Sequence, residues 1–530
     1  MDSLKDFRAK DMIEQITLLD QIREAGETAA IPALFDLYAN PIGDQAVDEM
    51  IYHALFGLLA GQHARIEEGL AHGSPAVQLL CVRRAGEEKA EALKDPLVAL
   101  LGKTASVELA GEILRALAQY KDASLIDTLL PFLRHDDYTV VAWALRALTN
   151  IHTPAVRDLL IERIDNSAEV KGAAMGCDLR TALMVEGVAG FTDSATVDYL
   201  IGHIHHGNPS FRRVVLAALG SMGEVALPAL EKTLEAGDKD EKIMAANILG
   251  LTGHKKAADI LVAHLEAATE PNLRFAMYEA LGRINSLRSI IGLADGLAEP
   301  EELVLIAVVT ALDHLVNPGV IKAVNEALDK GGSQAEHIAK AIATSRAKNL
   351  FAALYGDGTH RALVMQAIHS SADAEVKRIF KALLDKVGSD EAKADAAKLD
   401  AAAAGAPAAG KRLLAADDSK AMLFFYKGVA ADLGMEMVTV ADGKQAHDHL
   451  QIDSDFVLVI TDMNMPHMDG IELTRAIRAN AALAGLPILM ATTESEKSQA
   501  DLARTAGVTD FITKPFGKED FKAKVTAMLK

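Results

Sequence analysis

Apolar residues recur at helical spacing along the first three quarters of the chain, and a short mark recurs with them. The mark is usually a small residue, then Leu, often followed by Gly: Ala54-Leu55, Ala116-Leu117, Ala147-Leu148, Ala218-Leu219-Gly220, Ile248-Leu249-Gly250, Ala280-Leu281-Gly282 and Ala311-Leu312. Ala85-Gly86 and Ala341-Ile342 extend the ladder. Neighbouring marks lie about 31 residues apart, with about two repeats between 147 and 218. Two helices per unit, joined by turns such as Gly207-Asn208-Pro209-Ser210 and Glu270-Pro271-Asn272, predict an all-α solenoid over residues 1–387. Small residues at the marks let neighbouring helices approach closely. Leu4, Phe7, Met12, Ile13, Ile16 and Leu19 predict an opening helical segment that caps the stack. The pattern falters between 155 and 193, where Gly172, Gly176, Gly187 and Gly190 crowd a long segment, so a bend or an insertion is expected there.

Residues 388–410 carry almost no large apolar side chain; their Ala/Lys/Asp part has helical propensity, but Gly405, Pro407 and Gly410 interrupt it, which predicts a linker with reach rather than rigidity. From 411 the period changes. Short apolar or β-branched runs at 412–416, 456–461, 486–491 and 510–513 read as buried strands alternating with helices, an α/β domain of the flavodoxin-like type with a parallel sheet ordered 2-1-3-4-5. Asp417 and Asp418 follow the first run and Asp462 ends the 456–461 run. In such a sheet the first and third strands flank the crevice at the carboxyl ends, so the three acids are expected to converge. Clustered carboxylates repel unless a cation joins them, and oxygen ligands suit Mg²⁺. Thr492 and Lys514, at the ends of the next two strands, are placed to hold the oxygens of a phosphoryl group carried on Asp462. The Lys514-Pro515 bond is expected to be cis.

These residues resemble the receiver domain of bacterial response regulators, most closely the chemotaxis receivers. The resemblance rests on Asp417-Asp418, the run from Asp462 to Gly470, the strand ending at Thr492, Phe511, and Lys514-Pro515-Phe516. It implies an aspartyl phosphate formed on Asp462 from the phosphohistidine of a histidine kinase, chemotaxis-type kinases included. It further implies Mg²⁺ held by Asp418, Asp462 and the backbone carbonyl of Asn464, with Asp417 acting through the metal's waters. Thr492 and Lys514 would hold the phosphoryl oxygens, and Phe511 would be the aromatic that changes rotamer. Asn464 and Glu494, two beyond Asp462 and two beyond Thr492, would set a short phosphoryl lifetime. Thr493 departs from the Ala common in the family, without affecting the site. The solenoid resembles HEAT repeats, particularly at 208–220 and 271–282, and Arg212, Lys242 and Arg274 each stand six residues before a mark.

A net charge of −20, of which 14 Lys and Arg against 17 Asp and Glu fall within 411–530, leaves the solenoid strongly acidic. Such a surface repels phosphate backbones and anionic lipid, so neither nucleic acid nor membrane insertion is expected. Two cysteines, Cys81 and Cys177, give no disulfide framework, and no run approaches the ~20 apolar residues of a membrane span. A cytoplasmic protein is expected. His203, His205 and His206 lack the spacing of a metal site and are expected at a solvated repeat end; Trp143, Phe424, Phe425 and Tyr426 are expected to pack in cores.

The sequence therefore predicts a two-component response regulator whose receiver controls protein binding by a HEAT-like scaffold, with an unidentified protein as the solenoid's partner. Its chemistry is expected to be limited to the receiver's own phosphorylation and dephosphorylation. The alternatives are an enzymatic activity housed in the solenoid and gated by the receiver, or a phosphate sink without output. The segment from about 495 to 530, with Phe511, Phe516, Phe521, Lys518, Lys522 and Lys524, is expected to dock on the acidic solenoid.

Overall fold

The computed structural model describes residues 4–172, 176–403, 410–492, 497–514 and 516–529, and the side chains among them except at 400–403 and 497–500. The chain forms two compact units, and it changes from one to the other within the glycine-crowded segment: Met1–Ser167 with Asp178–Phe191, and Ala168–Cys177 with Thr192–Lys530.

In the first unit the helices Gln45–Leu58, Pro75–Glu88, Val107–Leu117, Tyr138–Ile151 and Leu179–Ala189 carry the repeat. Their starts are capped by polar side chains where the chain turns: Asp44 accepts from the amides of Ala46 and Val47, Ser106 from Leu109 and Asp137 from Thr139. The opening helix, Met12–Glu24, packs on Gln45–Leu58 as the cap of the stack. Trp143 is half-buried against Gly111 rather than sealed in the core, with the Arg146 guanidinium over its ring.

The repeat mark is a contact ladder. A Cβ added at Gly86 would lie 3.0 Å from Ala116 Cβ; at Gly250, 2.8 Å from Ala280 Cα; at Gly282, 2.7 Å from Ala311 Cβ. Each glycine thus seats the alanine of the next unit, and helix spacing depends on the missing methyl.

In the second unit the repeat continues through Pro209–Ser221, Lys239–Thr252, Pro271–Arg283, Glu302–His314 and Gly332–Thr344 to Ala374–Val387. The expected linker is helical over Asp390–Ala403. Ala392, Ala396 and Leu399 are buried, and the buried Asp395 accepts from Tyr355 Oη at 2.9 Å and Arg361 Nε at 3.1 Å. Alanine suffices as a helix former and as a close-packing face here, so the scarcity of large apolar residues did not mean a lack of packing.

The C-terminal domain has five parallel strands: β1 (Arg412–Ala416), β2 (Glu436–Val440), β3 (Leu458–Asp462), β4 (Ile488–Thr492) and β5 (Asp510–Thr513), in the order β2-β1-β3-β4-β5. β1, β3 and β4 are buried almost end to end, as strands covered on both faces must be. Its first helix, Lys420–Asp432, lies against Glu302–His314 and Gly332–Thr344 of the repeats. Every residue from Leu303 to Val309 is buried as a result, because one side of that helix packs on repeats and the other on the C-terminal domain. Lys427 Nζ meets Glu375 at 2.7 Å, and the Arg346 guanidinium lies over the Phe424 ring.

Phe516 and Phe521, expected to dock on the repeats, turn inward instead, and it is the Lys514 backbone of this segment that meets the repeats, through Asn272. Phe516 and Phe521 are buried within the domain, stacked on Tyr426, while Lys518 pairs with Asp432 and Lys524 with Asp510. Stacking these rings together removes more apolar surface from water than facing them toward a charged helix bundle.

Candidate functional site

Strand order delivers the acids. β1 pairs with β3 so that Ala416 stands beside Thr461, which places Asp417 and Asp462 side by side at the carboxyl rim. β4 ends at Thr492, 5% exposed, and the amide of Lys514 donates to the Thr492 carbonyl at 2.7 Å, fixing the turn after β5. The Lys514 ammonium then lies 2.8 Å from both Asp417 Oδ2 and Asp462 Oδ1. The other Asp462 oxygen accepts the Asn464 amide at 2.9 Å. Gly470 opens the next helix, Gly470–Ala479, where a Cβ would fall 2.2 Å from the Asp462 carbonyl. Asp469 caps that helix in a reciprocal box with Glu472.

Asp418 opens onto a cavity of about 290 Å³ whose wall also includes Asp417, Asp462 and Lys514. Phe511 is half-buried, and the Arg504 guanidinium lies over its ring. Glu494 and Pro515, hence the Lys514-Pro515 bond, lie outside the described residues.

Burial raises the Asp417 carboxyl to about 7; Lys514 opposes that shift, and Asp462 and Asp418 add to it. Asp418, though its carboxylate faces the cavity, is raised to about 6 by desolvation among the surrounding protein atoms and then by Asp462. Burial alone would lower Lys514, but Asp417 and Asp462 outweigh it and hold its proton well above the usual lysine range. The cluster therefore carries more acid than one ammonium neutralises. Its donors are all oxygens, which fits a hard divalent cation such as Mg²⁺.

Several contributors lie outside the motif. Tyr426 Oη donates to Asp417 Oδ2 at 3.2 Å, so this ring is more than packing. The rest come from the repeats. Arg212 donates to Asn464 Oδ1 at 2.7 Å, Ser210 to Asp469 Oδ2 at 2.7 Å and Arg213 to Glu472 at 3.1 Å. Asn272 donates to the Lys514 carbonyl, Ser419 Oγ donates to Glu279, and Arg283 stands 3.9 Å from Asp418. Burial raises the Glu279 carboxyl, with Arg283 opposing the shift.

The histidine cluster is half-buried rather than solvated. His206 Nδ1 accepts the Asn208 amide at 3.1 Å, its ring packs on Phe211, and its carbonyl accepts from Arg212 at 3.0 Å. It shapes the turn that presents Ser210 and Arg212.

Residues 413–526 match the response regulator receiver domain, and residues 94–176 and 227–313 match HEAT repeats. The chemotaxis protein CheY1 of Helicobacter pylori is 37% identical over 119 residues, 22% of this chain and 96% of that protein. CheY of Pseudomonas aeruginosa is 36% identical over 114 residues, 22% of this chain and 92% of its own length. Among solved structures, CheY4 of Vibrio cholerae is 33% identical, covering 23% of this chain and 100% of its own, with a TM-score of 0.22.

Proposed function

Because the chain belongs to the response-regulator family through its C-terminal receiver domain, we propose that Asp462 accepts a phosphoryl group from a histidine kinase and thereby controls protein binding by the HEAT-like solenoid. The observation that carries this reading is the Lys514 ammonium shared at 2.8 Å between Asp417 and Asp462 beside the open carboxylate of Asp418. An Asp462 oxygen attacks phosphorus, the P–N bond to the donor imidazole breaks, and the imidazole leaves with the electron pair. Lys514 and the Thr492 hydroxyl hold the phosphoryl oxygens. Asp418, Asp462 and the Asn464 carbonyl would hold Mg²⁺, with Asp417 acting through its waters. Bound there, the ion supplies positive charge to the transferring group.

Phe511 is the switching aromatic in this reading, and Asn464 with Glu494 sets a short lifetime. The domain's chemistry is confined to gaining and losing its own phosphoryl group. The reading implies a cytoplasmic protein; among the described residues no single helix is long and apolar enough to cross a membrane.

Labelling of the full chain with phosphoramidate in Mg²⁺ tests it. Wild type is expected to gain one phosphoryl group, and Asp462→Asn, which keeps the shape without the nucleophile, none. Chelation of Mg²⁺ should stop the reaction. Wild-type labelling of Asp462→Asn would count against the acceptor, and a phosphoryl group that persists for many hours in Mg²⁺ against the short lifetime.

A further inference from the structure

Among the described residues, the three rim loops that bring Asp417, Asp462 and Lys514 together are each held by a solenoid residue. The loop after β1 is held by Glu279 and Arg283, through Ser419 and Asp418. Ser210, Arg212 and Arg213 hold the loop after β3, through Asp469, Asn464 and Glu472. Asn272 holds the loop after β5, through the Lys514 carbonyl. Ser210 and Arg212 are 1% exposed and Asn272 is 3% exposed. Polar groups buried that deeply need partners, and here the receiver's loops supply them.

We propose that the starts of the 209–221 and 271–283 helices form a receiver-binding surface that caps the phosphoacceptor face, and that this cap must lift before a protein donor reaches Asp462. The inference rests on Asp462 being the acceptor, and adds which surface guards it. The cavity of about 290 Å³, walled on one side by the repeats, has room for a phosphoryl group, but not for a donor histidine carried on a helix of about 10 Å diameter. A kinase and the solenoid therefore compete for the same atoms, and whatever favours one disfavours the other by linkage. A small donor is hindered too. Phosphoramidate is an anion, and the cap places Glu279 in the cavity wall with Asp417, Asp418 and Asp462; Arg213 is engaged with Glu472 and Arg283 faces Asp418.

Two charge reversals in the full chain test the cap from different sides. Lys427→Glu places like charges opposite Glu375, away from the phosphoryl cavity. Arg213→Glu opposes Glu472 and adds negative charge to the cavity wall, which by itself would slow an anionic donor. Circular dichroism establishes that each variant stays helical, and hydrogen exchange at 417–419, 464–472 and 209–213 reports docking. Both variants are expected to exchange faster there and to label with phosphoramidate about fivefold or more faster than wild type. Released loops with labelling within about twofold of wild type would overturn the cap. So would unchanged exchange in the double variant. If the loops are released and no variant labels, the acceptor assignment itself fails, an outcome distinct from the other two.

Discussion

The turns at His72 and His206 are the same device in two regions. In the first unit, His72-Gly-Ser-Pro-Ala-Val-Gln78 turns with His72 Nδ1 accepting the Ser74 amide and Gln78 donating to the His72 carbonyl at 2.8 Å. In the second, His206-Gly-Asn-Pro-Ser-Phe-Arg212 repeats both bonds, with Arg212 in place of Gln78. A glutamine amide suffices to close the turn. The guanidinium closes it with one nitrogen and offers another to Asn464 of the receiver. Pro75 and Ala76 are exposed, whereas Pro209 and Ser210 are buried. One repeat position thus serves the fold in both regions and a partner in only one.

The largest break in this parallel should come from the helix buried on all sides. Val308→Asp places an uncompensated charge at a 0% exposed position of that helix, beside Gly296, and is expected to cost about 4 kcal/mol or more and to unfold the second unit. Val107→Asp, at a helix start of the first unit that is 41% exposed, should change stability by less than about 0.5 kcal/mol. Thermal unfolding followed by circular dichroism separates the two. Equal losses would mean that burial on both sides of the 302–314 helix contributes nothing.

Next is the glycine ladder. Gly250→Val forces a side chain against Ala280 and should cost about 1 to 3 kcal/mol. Gly57→Ala, with nothing within 4 Å, should stabilise by about 0.5 to 1 kcal/mol through helix propensity. Urea denaturation midpoints read both, and a neutral Gly250→Val would deny the ladder its role.

Arg212→Gln sharpens the comparison most directly, because it copies the first unit's residue. Melting should move little, since glutamine can close the turn, while exchange at 464–472 should rise several-fold; Gln78→Arg should be neutral within about 0.5 kcal/mol. A collapse of Arg212→Gln would show that the guanidinium is needed for the fold itself.

The smallest effect is that of salt on Lys427 and Glu375. This pair is half-exposed, so raising ionic strength to about 1 M should weaken docking by at most about 1 kcal/mol, read as slightly faster exchange at the rim. A large salt response would mean that charge, rather than the buried polar contacts and the Leu303–Val309 face, holds the receiver down.

Much of this was legible in the chain. The helical period, the mark about every 31 residues and the change to short apolar runs after 410 follow from local burial needs, and they specify repeats followed by a parallel sheet. The side-by-side placement of Asp417 and Asp462 follows from strand order, because each ends a buried run. Asp390–Ala403 packs although its side chains are small, which a pattern of large apolar residues does not register. Arg212 was visible as a basic residue six before a mark, but so was Arg274, which donates to the Leu265 and Ala268 carbonyls and to Glu299 within its own repeats.

Sequence alone determined the repeat, the sheet order and the acids at its rim, since these depend on contacts within one unit or between neighbouring units. The tertiary structure alone decided that Ser210, Arg212, Asn272 and Glu279 meet the receiver's rim, and that its first helix, rather than Phe516 and Phe521, lies on the repeats. The rim pairings join residues more than a hundred positions apart, where no local period relates one side chain to the other. They were settled by which arrangement buries the apolar face of Leu303–Val309 while giving Ser210, Arg212 and Asn272 partners.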